Sequence, residues 1–183
     1  MKTVKFTAIA LAAILSAVAI PALAQVMVGG APMYSSKDIV DNAVNSKDHT
    51  TLVAAVKAAG LVPTLKGAGP FTVFAPTNAA FAALPAGTVD NLLKPENKAQ
   101  LTKVLTYHVV MGRMDSAALA KAIDAGGGKA TLTEVSGGTL TATKSGSAIM
   151  LTDESGGMAH VTIPDVVQSN GVIHVVDKVL LPK

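Results

Sequence analysis

The four histidines of this chain are His49, His108, His160 and His174. Together with Tyr107, Asp177 and the adjacent pair Asp153-Glu154, they are the residues whose types admit chemistry. Tyr107 and His108 are neighbours, and Asp177 follows His174 by three. A metal site would need several of these to converge, but no two histidines have the i, i+4 spacing that places a zinc pair on one helix face. No metal is therefore expected. There is no G-x-S-x-G elbow, so nucleophilic catalysis has no motif. Gly126-Gly-Gly-Lys-Ala-Thr131 is not a phosphate loop: Ile123 stands where the first Gly is needed, and Ala130 follows the Lys. Asp153-Glu154, flanked by Gly and Ser, is expected as a solvated turn. No cofactor and no catalytic residue are expected. His108 and His174 both lie in apolar surroundings, where a polar ring must find hydrogen-bond partners or serve a function.

The elements that must position these groups are legible from periodicity. Leu52, Val53, Val56 and Ala59 form a helical stripe, with Ser46 or Asp48 as its cap and Gly60 at its C-terminal end. Phe71-Thr-Val-Phe-Ala75 is a short strand ended by Pro76, and Thr77 caps the helix that carries Phe81. Leu101, Val104 and Leu105 form the stripe before Tyr107-His-Val-Val110, which turns to strand character. Ser116 to Ala125 is helical and capped by Asp115. From Lys129 the period becomes two, with strands expected over 130–135, 139–144, 148–152 and 159–163. Asn170-Gly171 is expected as the two-residue turn of a hairpin, and Val172 to Leu181 as a strand buried on both faces. Helices thus dominate the first half and strands the second, an α+β class.

Residues 1–24 are expected to be a secretory signal peptide. Lys2 and Lys5 precede an apolar run from Ala8 to Ile20, and Ala22-Leu-Ala24 is a cleavage pattern before Gln25. The run is shorter than the ~20 residues that span a bilayer, so no membrane anchor is expected. Residues 25–36 are expected as a flexible arm, and 37–183 as one domain. The whole chain carries fifteen basic and twelve acidic residues, a net +3; the leader takes two of the basic ones, leaving thirteen against twelve, a net +1. That balance, with aromatics at 3 %, argues against a nucleic-acid partner. The absence of Cys excludes disulfides, thiol catalysis and Cys-ligated zinc, and leader style and lack of Cys suggest a bacterial source.

Three blocks in order resemble the fasciclin domain, an extracellular adhesion module. Phe71-Thr-Val-Phe-Ala-Pro-Thr-Asn-Ala-Ala-Phe81 resembles its first signature, with Phe71, Phe74, Pro76, Thr77 and Phe81 as the structural positions. Tyr107-His108-Val109-Val110 is similar to its Tyr-His motif. Asn170-Gly171-Val-Ile-His174-Val-Val-Asp177 with Leu180-Leu-Pro182 is similar to its second signature. The resemblance implies a wedge-shaped antiparallel β-sandwich with a layer of helices from the N-terminal half. It implies a secreted or periplasmic, non-enzymatic module that binds a cell-surface or matrix protein or polysaccharide, with Tyr107, His108, Val109 and Val110 as its recognition segment. For His108 the residues themselves suggest instead a buried core histidine bonded to backbone. A single copy lacks the avidity of tandem domains unless it forms a homo-oligomer. The alternative function is carriage of a small hydrophobic ligand between the helices and the sheet.

Overall fold

The computed structural model describes residues 25–183; the expected leader lies outside them. The first elements are the two-residue strands β1 (Met27–Val28) and β2 (Ala31–Pro32), then α1 (Ile39–Ala43), α2 (Thr50–Ala59) and α3 (Val62–Leu65). Strand β3 (Phe71–Pro76) follows, then α4 (Asn78–Ala82), α5 (Thr88–Leu92) and α6 (Lys98–Tyr107). The chain continues through β4 (Val109–Met111), α7 (Ser116–Ala125) and the run β5 (Lys129–Thr133), β6 (Thr139–Ser145), β7 (Ala148–Thr152), β8 (Met158–Gln168) and β9 (Gly171–Val176). The α+β class stands.

Strands β3 to β9 form one seven-stranded sheet in the order β4-β3-β9-β8-β7-β6-β5. Its neighbours are antiparallel except β3 and β9, which run parallel from Phe71↔Gly171 to Pro76↔Val176. The two outer strands nearly meet. A bridge joins Val110 to Glu134, and Val135 N donates to Val109 O at 2.9 Å. The sheet is therefore almost a closed barrel, which leaves little free edge.

Two apolar clusters fill the molecule. One lies between the helices and one face of β3 and β9, and includes Phe71, Val73, Ala75, Phe81, Leu101, Val104, Ile173 and Val175. The other lies inside the curved sheet under α7, and includes Phe74, Leu119, Ile123, Leu140, Leu151 and Val176. Strands β5 to β7 bury only alternate residues, as expected of strands with one wet face. Strands β3 and β9 are buried at every position because helices cover one side and the barrel interior the other.

Three expectations are corrected. Residues 25–36, expected as a flexible arm, contain the β1–β2 hairpin, with Val28 and Met33 buried against the helices; the apolar residues spaced along this short stretch were enough to pin it. The hairpin turn before β9 is Ser169-Asn170, not Asn170-Gly171, because Gln168 pairs with Gly171. Gly171 is a strand residue, and its role is close approach. A Cβ there would lie 2.1 Å from Phe71 O. Strand β9 ends at Val176 rather than Leu181, since Asp177 turns its side chain to His160 on β8.

The caps follow the sequence in part. Thr77 accepts from Ala80 N and Asp115 from Ala118 N, and Gly60 takes the left-handed conformation with φ 74°. Helix α2 is capped from elsewhere. Asn78 of α4 accepts from Thr51 N at 3.0 Å and donates to Lys47 O at 2.8 Å. Ser46, the expected cap, instead bonds His49.

Candidate functional site

The Tyr-His segment lies where α6 passes into β4, at the seam of the barrel. Tyr107, His108, Val109 and Val110 are all buried, at 0, 2, 7 and 3 % exposure. His108 Nδ1 donates to Val104 O one turn back at 2.8 Å, and its Nε2 accepts from Leu180 N at 3.0 Å. Both nitrogens are thus engaged by backbone, in the neutral form. Burial pushes its pKa down to about 4, and the Val104 carbonyl and the charge of Asp153 offset this only in part. The Tyr107 hydroxyl donates to Thr139 O at 2.8 Å and accepts from Glu154 N at 3.1 Å, and burial raises its pKa to about 12. The pair staples the helical half to the C-terminal segment and to the β5–β8 sheet. Exposed residues begin directly after it, with Met111 at 61 %.

Of the Asp153-Glu154 pair, Glu154 lies in the expected turn, half-buried, and only Asp153 departs from a solvated turn. Asp153 is buried and accepts from Ser155 N, Gly157 N and Leu181 N. Beside Tyr107, Glu134 is also buried; its Oε2 accepts from Ser136 Oγ at 2.9 Å and its Oε1 has no partner. Burial drives its pKa up to about 7, the Ser136 hydroxyl opposes this, and the Glu154 charge adds to it. The proton is held more tightly in the folded chain than at the ordinary 4.5, so this group's stabilisation fades as pH rises through about 7. Glu134→Gln removes the buried charge. It is expected to raise stability at pH 8 by roughly 1 kcal/mol, allowing for partial solvent screening, and to change little at pH 5. Melting temperatures at the two pH values test this, and equal shifts at both would overturn it.

His174 is fully buried and stacks on Phe74, ring centroids 5.7 Å apart. Its Nε2 donates to Met114 O at 2.8 Å and its Nδ1 accepts from Asp165 N at 3.3 Å. Burial holds its pKa below the ordinary value, against the opposing Met114 carbonyl. Asp165 has φ 58°, uncommon outside glycine, at an irregularity of β8; its carboxylate accepts from Ser116 N at 2.6 Å and from the Ser116 hydroxyl. Ser, Asp and His thus meet here, but in the wrong wiring for nucleophilic catalysis: the hydroxyl faces the acid, and both ring nitrogens are taken by backbone. Asp177 and His160 form a partly exposed pair, Oδ2 to Nδ1 3.1 Å.

Asn170 is a tie across the whole chain. Its Oδ1 accepts from Ile39 N, and its Nδ2 donates to Leu65 O and Gly67 O. Nearby, buried Asn42 and Gln168 bond each other. Of the signature positions, Phe71, Phe74, Pro76 and Phe81 are buried, and Thr77 is the α4 cap. The sequence signals tie Asn170, Asp153 and Asn78 only to their own turns and caps, because their partners lie far along the chain.

An apolar cavity of about 70 Å³ lies between α1, α2, α3 and the helix-facing side of β3 and β9. Its walls include Ile39, Leu52, Val56, Val73 and Ile173. Buried Ser46 and His49 also line it. Ser46 Oγ and His49 Nδ1 are 2.8 Å apart, while His49 Nε2 closes no hydrogen bond. Burial lowers the His49 pKa, offset in part by the nearby Ala75 carbonyl and Asp48. The lining reaches half-buried Val53 and Val62 and exposed Lys57, which mark the way to solvent. Among the described residues no group of three or more His, Cys, Asp or Glu could hold a metal ion, and no helix is long and apolar enough to cross a membrane.

Residues 47–182 match the family model of the fasciclin domain. Protein sll1483 of Synechocystis sp. is 48 % identical over 157 residues, covering 85 % of this chain and 79 % of that one. Immunogenic protein MPB70 of Mycobacterium bovis is 35 % identical, covering 97 % of this chain and 93 % of that one. Among solved structures, a FAS1 domain pair from the insect cell adhesion molecule fasciclin I superposes with a TM-score of 0.72 at 16 % identity. That match covers 79 % of this chain, which spans about half, 51 %, of the domain pair.

Proposed function

We propose, from the premise that this chain belongs to the fasciclin domain family, that it is a non-catalytic interaction module, secreted or periplasmic, that binds a cell-surface or matrix protein or polysaccharide. The observation that supports this most is the family match over residues 47–182, together with the shared fold of a chain named as a cell adhesion molecule. The wiring of the titratable groups agrees with it, since the buried histidines at the seam and on β9 spend their nitrogens on backbone. Tyr107, His108, Val109 and Val110 serve recognition from within. They fix the seam from which Met111 and Arg113 emerge, and the contact is made by those exposed neighbours rather than by the buried four.

The test is retention of the purified domain on intact bacterial and eukaryotic cells. Saturable retention, removed by treating the cells with protease or glycosidase and reduced at least five-fold by Met111→Glu with unchanged melting, is expected. No retention on any surface would overturn the reading. A second reading, carriage of a small hydrophobic ligand, is supported by the apolar cavity beneath α2 and α3.

A further inference from the structure

We propose that the seam between β4 and β5 is a pH-operated latch, held shut by the neutral carboxyl of Glu134 and released when that carboxyl ionises. The inference concerns the seam itself and does not depend on any partner. Strands β5 and β6 pair along their whole length, from Lys129↔Thr143 to Thr133↔Thr139. Between β4 and β5, among the described residues, closure rests on the Val110–Glu134 bridge and on Val135 N donating to Val109 O. The residues that would move form a tight turn. Glu134 N donates to Gly138 O at 3.2 Å and Gly137 N to Glu134 O at 2.9 Å, with Val135, Ser136 and Gly137 exposed. The turn can therefore swing outward as a unit, breaking the two ties to β4 while it keeps its own.

The Glu134 carboxyl is packed under this turn. A Cβ built on Gly138 would lie 3.1 Å from Glu134 Oε2 and 3.0 Å from the Tyr107 ring. Ser136 Oγ donates to Oε2, and Oε1 is buried without a partner. A neutral carboxyl tolerates this place, whereas a carboxylate lacks the donors that its burial demands. The groups around it supply no compensating charge. Helix α6 presents Tyr107 and His108, which stay neutral between pH 5 and pH 8. The turn between β7 and β8 presents Asp153 and Glu154, and the Glu154 charge opposes ionisation. Lys183 acts on Glu154, and β4 offers apolar Val110. Swinging the turn outward hydrates the carboxylate. In the open form the carboxyl releases its proton near the ordinary 4.5, and in the closed form at about 7, so rising pH favours opening between those values. The outer edge of β4 is then unpaired, a template for an added strand.

Amide exchange in the full chain tests this, each rate being referred to that of an unstructured chain at the same pH. Val135 N–H reports the outer side of β4. Phe74 N–H, which donates to His108 O at 2.9 Å, reports the side toward β3. From pH 5 to pH 8 the protection of Val135 is expected to fall roughly ten-fold further than that of Phe74, and to level off above the pH at which the Glu134 carboxyl carbon titrates by NMR. Glu134→Gln, which cannot ionise, is expected to hold the two amides in constant ratio. Should that variant not fold, the Val135-to-Phe74 ratio and the carboxyl titration of the unmodified chain still decide. Loss of protection at Val135 and Phe74 in step would show the whole fold loosening and overturn the latch. A selective loss at Val135 that persists in Glu134→Gln would overturn it equally, by assigning the opening to another group.

Discussion

Gly171→Ala is expected to lower the unfolding free energy by about 3 kcal/mol, near the upper end for overpacking a tight interior. The Cβ would lie 2.1 Å from Phe71 O and 2.9 Å from Phe71 C, and these atoms are backbone, which cannot rotate away. Phe71 and Gly171 open the parallel β3–β9 pairing. Relief therefore requires the two central strands to part where both apolar clusters depend on them. On the neighbouring turn, Gly69 is held equally close, with a Cβ placed 2.3 Å from Asn170 O. The loss is a large share of the ~5–15 kcal/mol that holds an ordinary domain. Urea unfolding measures it. The control is Gly146→Ala, where the added methyl meets nothing and only a φ of 63° is strained, at about 1 kcal/mol. Equal costs at the two positions would show that close approach is not what Gly171 provides.

Acidification is expected to remove roughly 3 kcal/mol of stability through His108 alone. In the unfolded chain this histidine takes a proton near 6.5, whereas in the fold it resists until about 4. Unfolding then takes up a proton between those values, so the contribution is complete above 6.5 and is lost as pH falls toward 4. His49 and His174, also lowered by burial, act in the same direction. Glu134, whose folded pKa is raised, acts in the opposite one, so the slope is clearest in a Glu134→Gln background. There, His108→Gln is expected to cost about 1–3 kcal/mol at pH 7, because Val104 O and Leu180 N lose their fitted partner. It is also expected to flatten the dependence of stability on pH between 6.5 and 4 by close to one proton. A parallel displacement of the two profiles, with no change of slope, would place the protonation elsewhere.

Local chemistry was legible and long-range pairing was not. Thr77, Asp115 and Gly60 announce helix ends because a cap depends on residues within one turn. Strands β5 to β7 announce themselves because one wet face imposes alternation. The run Gly171–Val176 announces burial on both faces but not its neighbours, and nothing local says that its parallel partner lies one hundred residues earlier. Gly171 shows why. Beside Asn170 it has the chemistry of a turn, and only the position of Phe71 reveals a contact glycine. Asp153 is similar, since Gly and Ser flanks suggest solvent until Leu181 N is seen to fold back onto it. For the candidate site, the backbone-bonded state of His108 followed from its apolar setting. The orphan nitrogen of His49 did not, because its cavity is assembled from helices and strands spread from Val28 to Ile173.

The place of β9 in the sheet has a consequence for biosynthesis. Among the described residues this strand follows the other eight in the sequence, yet it lies between β3 and β8 rather than at an edge. A nascent chain that has emerged only as far as β8 has no neighbour for β3 on that side, and the tie from Asn170 to Ile39, Leu65 and Gly67 has not yet been made. The barrel therefore completes only when β9 is inserted as a wedge between strands already synthesised. Long-range closure of this kind is slow, so the sheet stays open beside β3 until β9 has emerged and been inserted.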